Sequence, residues 1–189
     1  MSEKKFDSKK LKKLNNPQRL IDISIQYIVQ KLALEHSKTW VEIGAGTGFF
    51  SIAFLKQYKP TTLYACDISE TMIKWMEENI VSEYPAILPT KCEEVLTPLN
   101  DESADVVFTV CLHHELEKPQ QTLAEAHRLL KPGGKLLIVD WKKVDMAEGP
   151  PTHIRYTTDD ITTQLEKAGF KCLHISDELE KHFFVIAQK

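Results

Sequence analysis

Thr39-Trp40-Val41-Glu42-Ile43 has the apolar and β-branched content of a short buried strand, and it runs directly into Gly44-Ala45-Gly46-Thr47-Gly48. Phe49-Phe50-Ser51-Ile52-Ala53-Phe54-Leu55 follows without a breaker, so the turn opens a helix whose first backbone N–H groups lack carbonyl partners. Such a terminus suits an acidic or polar ligand. One strand later, Thr62-Leu63-Tyr64-Ala65-Cys66 ends on Asp67, about twenty residues beyond the last glycine, where a doubly wound fold places an acid against ribose hydroxyls. Strand, turn, helix, strand and terminal acid in this register predict an α/β fold that binds a nucleoside-bearing ligand.

An acid that accepts from both ribose hydroxyls suits nicotinamide dinucleotides and S-adenosylmethionine alike, and the glycine spacing separates them. A pyrophosphate cradle wants G-x-G-x-x-G, whereas here the third glycine arrives one residue early, giving G-x-G-x-G after Glu42. Together with Asp67, Val41-Glu42-Ile43-Gly44-Ala45-Gly46-Thr47-Gly48 resembles the first motif of the class I S-adenosylmethionine-dependent methyltransferases. Ala104-Asp105-Val106-Val107-Phe108 resembles that family's fourth strand, and Leu129-Leu130-Lys131-Pro132-Gly133-Gly134-Lys135-Leu136 resembles the turn before its fifth. The likeness runs from about Thr39 to Lys189 and is to the small type-11 group akin to the quinone-biosynthesis C-methyltransferases.

The resemblance implies a doubly wound, seven-stranded, mostly parallel sheet of order 3-2-1-4-5-7-6, its last strand antiparallel, with helices on both faces. Phe170 to Ile175 and His182 to Ala187 alternate around the acidic stretch 177–181, which suits an antiparallel hairpin at that end. The resemblance also distributes roles. Gly44, Ala45, Gly46, Thr47 and Gly48 would bind the methionine half, with Glu42 near its amino group and Asp67 on the ribose. Ile68 would wall the adenine with Met72 behind it, Cys92 and Glu93 would address the purine, and Cys111 to His114 would form the methyl-acceptor side. One departure is visible: Cys92 or Glu93 stands where the family has an aspartate, and one extra residue precedes Pro98.

Other readings come from the residues themselves. The fourth strand runs into Cys111-Leu112-His113-His114-Glu115-Leu116, and ligands in open α/β sheets lie beyond the carboxyl ends of the strands. His113 and His114 are therefore candidates to position or deprotonate a nucleophile. No metal is expected there, because adjacent residues point apart and no third ligand is visible. The fifth strand ends on Asp140 and Trp141, facing the same side, and beyond it Arg155 could hold an acidic substrate or form an exposed ion pair. Asn16 and Pro17 read as the start of one helix running to Leu32, and Pro89 marks its strand as a sheet edge.

A chain of 189 residues, 42% hydrophobic, fits one domain. We expect a single Rossmann-like domain over residues 17–189, preceded by a lysine-rich segment, 1–16, that reads either as a mobile, solvated N-terminus or as a lid that Phe6, Leu11 and Leu14 fold over the pocket. A net charge of −3 supplies no broad basic field, which disfavours nucleic acid as partner. No apolar run reaches the roughly twenty residues a bilayer demands, and the N-terminus lacks a secretory apolar core, so we expect no membrane partner and a cytoplasmic location. Cys66, Cys92, Cys111 and Cys172 show no C-x-x-C spacing and read as reduced, small hydrophobes. The expected function is in-line methyl transfer from S-adenosylmethionine to a small-molecule acceptor. A non-catalytic adenosyl-cofactor-binding protein and a nicotinamide-dependent oxidoreductase are the competing readings.

Overall fold

The computed structural model describes residues 8–34 and 36–189. Its strands are β1 (Thr39–Ile43), β2 (Thr62–Asp67), β3 (Ile87–Lys91), β4 (Ala104–Val110), β5 (Leu130–Trp141), β6 (Lys171–Ser176) and β7 (His182–Gln188). They form one seven-stranded sheet in the order β3-β2-β1-β4-β5-β7-β6. β1 to β5 pair in parallel, and β7 runs antiparallel to both of its neighbours, β5 and β6. This is the expected order and the expected reversal. β3 lies at the edge, the position where a strand tolerates Pro89.

The helices are α1 (Ser8–Leu14), α2 (Gln18–Asp22), α3 (Ile25–Leu32), α4 (Phe49–Tyr58), α5 (Glu70–Asn79), α6 (Pro119–Leu129) and α7 (Thr158–Lys167), with single 3₁₀ turns at His113–Glu115 and Thr152–Ile154. Alternating strand residues feed two separate cores. Trp40, Leu63, Ala65, Phe108 and Leu137 face α3, α4 and α5, burying Leu32, Phe54, Ile73 and Met76. Val41, Cys66, Val107, Leu136 and Ile138 face α6 and α7, burying Leu123, Leu129, Ile161 and Leu165. Period-two alternation along each strand thus puts helices on both faces of the sheet. Trp40 anchors the first layer, its ring 5.6 Å from Phe54 and 5.8 Å from Phe108.

The helix expected from Asn16 to Leu32 is two. Ile23 adopts φ −123° and ψ 93°, ending α2, and the Ser24 hydroxyl accepts from the Tyr27 N–H to start α3. A side chain able to cap wins over continued propensity at that point. In β5 the pairing with β4 jumps from Leu130 to Lys135, so Lys131-Pro132-Gly133-Gly134 loops out of the ladder, with Gly133 at φ 78°.

Candidate active site

β1, β2 and β4 deliver their carboxyl ends to one cavity of about 620 Å³, large enough for a cofactor. The glycine turn forms its floor. Gly44 and Gly48 hold φ of 75° and 69°, and a Cβ on Gly44 would lie 2.6 Å from Leu112 Cδ1, one on Gly48 2.8 Å from Ile80 Cδ1. The early third glycine therefore serves the close packing of α4 on the end of α5, and the first brings the turn against the loop after β4. The N–H groups of Gly44 and Ala45 both donate to the Cys66 carbonyl at 2.9 Å, and Gly46 N–H donates to Asp67 Oδ2 at 2.7 Å. Thr47 donates its hydroxyl to Asn15 Oδ1 at 2.9 Å, tying the turn to the segment after α1.

Two carboxylates lie under this turn. Asp67 also accepts from Ser69 N–H at 2.8 Å, so it organises the glycine turn and the start of α5 together. A carboxylate offers about four lone-pair sites, which lets it serve the turn and a ribose at once. Glu42 is 2% exposed and accepts from the Ser51 hydroxyl. Burial pushes its carboxyl up to about 8; the Ser51 bond and the Arg19 charge oppose the shift, and Asp67 adds to it.

Arg19, on α2, reaches the same cavity. Its Nη1 donates to the Leu14 carbonyl at 2.6 Å, and its guanidinium lies 4.5 Å from the centre of the Phe50 ring. No motif points to Arg19. The signal that could have found it is scarcity, since the chain holds only three arginines, Arg19, Arg128 and Arg155, among its 24 basic residues.

The opposite wall is more apolar. Ile68, 62% exposed, and Met72 line it together with Cys92 and Glu93. Cys92 N–H donates to the Asp67 carbonyl at 3.1 Å, and Glu93 bridges to Leu96 across a tight turn. Buried Glu125 on α6 fixes that loop by accepting from the N–H and the hydroxyl of Thr97, each at 2.8 Å, while Arg128 pairs with it at 2.7 Å.

Cys111 closes β4 with φ 54° and lines the cavity. Burial pushes its thiol up to about 12, so it presents no thiolate. Of the two neighbouring histidines, neither lines this cavity. His113 is 1% exposed; its Nε2 lies 2.8 Å from Gln164 Oε1 and its ring packs edge-on to Tyr156, and burial holds its imidazole below the usual range. His114 turns the other way. Its Nδ1 lies 2.7 Å from Asp140 Oδ1 and its N–H donates to Asp140 Oδ2 at 3.0 Å. A carboxylate can only accept, so Asp140 fixes the ring with Nδ1 as donor, and in the neutral imidazole Nε2 is then the acceptor. Arg155 forms no exposed ion pair among the described residues. It is buried, donating to the carbonyls of Pro150, Lys142, Val144 and Glu148 at 2.7 to 3.1 Å, and so braces the loop after β5.

The methyltransferase domain family, type 11, matches residues 41–138, just over half of the chain. The chain belongs to this family. It is similar over nearly its whole length to a SAM-dependent methyltransferase of Aquifex aeolicus, at TM-score 0.87 and 31% identity, covering 97% of this chain and 99% of that one. An arsenite methyltransferase of Halobacterium salinarum is 24% identical over 81% of this chain and 42% of its own length. A ubiquinone/menaquinone biosynthesis C-methyltransferase of Cupriavidus taiwanensis is 29% identical over 55% and 43%. A tRNA N(3)-cytidine methyltransferase of Danio rerio is 30% identical over 57% and 33%. The chain thus spans less than half the length of these curated relatives.

The family's cofactor is S-adenosylmethionine, and the chemistry of the methyltransferase cavity fits it: an acid and a guanidinium at one end for a zwitterion, Asp67 in the middle for a diol, and an apolar wall at the other for a flat ring. Among the described residues, no group of three or more His, Cys, Asp or Glu side chains is arranged to hold a metal ion, and no helix is long and apolar enough to cross a membrane.

Proposed function

We propose that this chain transfers a methyl group from S-adenosylmethionine to a small-molecule acceptor. The observation that carries the reading is the convergence of Glu42, Arg19 and Asp67 on one cavity floored by the glycine turn. When bound, the cofactor supplies an electrophilic methyl on a sulfonium. Glu42 and Arg19 take the ammonium and carboxylate of its methionine half, Asp67 its ribose, and Ile68, Met72, Cys92 and Glu93 its adenine. Leu14 on the cavity rim and the Thr47–Asn15 bond support the first helix as a cover that excludes water; Phe6 lies outside the described residues. On the acceptor side His114 Nε2 takes the proton a nucleophile sheds, and Asp140 stabilises the imidazolium through Nδ1. His113, facing Gln164, supports that wall. The overall charge of −3 and four free thiols support a cytoplasmic enzyme that acts on a small molecule rather than on nucleic acid or a membrane.

A thermal melt with S-adenosylhomocysteine, S-adenosylmethionine or NADH in parallel tests the cofactor. At a hundred times its dissociation constant, a ligand adds about 2.7 kcal/mol, or roughly 5 to 10 °C for a chain of this size. A rise with the adenosyl ligands alone is expected, and a rise with NADH alone would overturn the reading. On whichever acceptor turns over, His114→Gln lowers kcat by roughly 10²- to 10⁴-fold; an unchanged kcat removes the base role. A protein that binds the adenosyl ligands and methylates nothing would leave the non-catalytic alternative standing.

A further inference from the structure

Beside the cofactor cavity lies a second, open cleft of about 340 Å³, and Leu116 lines both. The segment between them is the short turn after β4: Glu115 faces the first space and His114 the second, with His114 Nε2 3.8 Å from Glu115 Oε1. Lys143, His153 and Tyr156 complete the second wall.

The charges of this cleft are unbalanced. Arg155 is 4% exposed, lines the cleft and carries a full positive charge, yet its four bonds all go to neutral main-chain carbonyls; no carboxylate pairs with it among the described residues. A buried cation without a counter-charge is costly. Asp160 is the acid in the lining, and it is committed to the start of α7, accepting from the N–H and hydroxyl of Thr157 at 2.9 and 2.8 Å. The side chains of Lys143, His153 and Tyr156 make no hydrogen bond among the described residues, and the Lys143 charge acts on Asp160, which leaves the Arg155 guanidinium as the cation of the lining without a carboxylate of its own.

We propose that this cleft is the acceptor site and that the acceptor is a small anion, a molecule carrying a carboxylate or a phosphate. Lys143 and His153 bind the anionic group, Arg155 supplies the field behind it, and the reacting atom lies past Leu116, toward the cofactor cavity, within reach of His114. The assignment deepens the methyltransferase reading and rests on it.

The test is an NMR titration of the labelled protein, with and without saturating S-adenosylhomocysteine, using four probes: inorganic phosphate, benzoate, neutral benzamide and a short RNA oligonucleotide. Phosphate, benzoate or both are expected to shift the His153 and Tyr156 ring signals saturably, while benzamide does not. Lys143→Ala, at an exposed position, should weaken that binding about five- to tenfold, and Lys74→Ala, on the far helix α5, should leave it unchanged. The proposal is overturned if neither anion moves these signals, if benzamide moves them equally, if only the RNA does, or if Lys74→Ala weakens binding as much as Lys143→Ala. Failure of S-adenosylhomocysteine to bind would instead strike the methyltransferase reading, and the same samples report it separately.

Discussion

Asp67→Ala is expected to weaken S-adenosylhomocysteine binding by roughly 10²- to 10⁴-fold and to lower the stability of the unliganded protein as well. Hydrogen bonds to a charged acceptor contribute about 1.5–3 kcal/mol each. Two bonds to ribose hydroxyls account for the affinity loss at about 1.4 kcal/mol per tenfold. The stability loss has a separate origin, because the carboxylate also receives the N–H groups of Gly46 and Ser69 at 2.7 and 2.8 Å. Asp67→Asn, which keeps an oxygen at the same place without the charge, should recover part of both. Titration calorimetry gives the first number and urea unfolding the second. An affinity within threefold of the parent would remove Asp67 from the cofactor site.

Glu42→Gln is expected to make the unliganded protein more stable at pH 8.5 while making it a poorer cofactor binder. Burial raises the folded-state pKa from 4.5 to about 8, so between those values the native state holds a proton that the unfolded chain has released. Stability therefore falls as pH rises through that window and levels off above it. Glutamine cannot ionise, and the slope from this position disappears. At about 1.4 kcal/mol per pH unit the gain at pH 8.5 is on the order of a few kcal/mol, with little difference below pH 4.5. An ammonium arriving beside Glu42 favours its charged form, so binding releases a proton near neutral pH. The variant should lose that release, seen as a binding enthalpy no longer dependent on the buffer, together with about tenfold in affinity. Urea midpoints of the two proteins that run parallel from pH 5 to 8.5 would show that Glu42 titrates normally.

What could be read from the sequence was local or imposed by ladder chemistry. The turn from Gly44 to Gly48 and Asp67 declare themselves because strand, glycine and acid occur at fixed offsets, and Pro89 declares an edge because it has no N–H to donate. Arg19 does not, since its place depends on α2 folding back across the turn from outside the motif. The roles of His113 and His114 could not be separated either: adjacent residues diverge, and only the 3₁₀ turn decides which ring meets Asp140 and which meets Gln164. The burial of Arg155 was not legible because charge alone suggests an exposed ion pair, whereas a loop rich in proline and glycine leaves carbonyls that must be satisfied once buried.

The placement of β7 between β5 and β6 has a consequence for biosynthesis. Every residue that lines the cofactor cavity precedes residue 117, and the parallel half of the sheet, β3 to β5, is complete before β6 is made. As the chain leaves the ribosome, that half can condense first, with the outer edge of β5 unpaired. The apolar run Leu136-Leu137-Ile138-Val139 then offers its open edge to any passing strand until Phe183-Phe184-Val185-Ile186 arrives to fill the gap. The interval between translation of β5 and of β7 is the period in which a nascent chain of this fold is most exposed to misassociation, and slow translation or early termination there lengthens it.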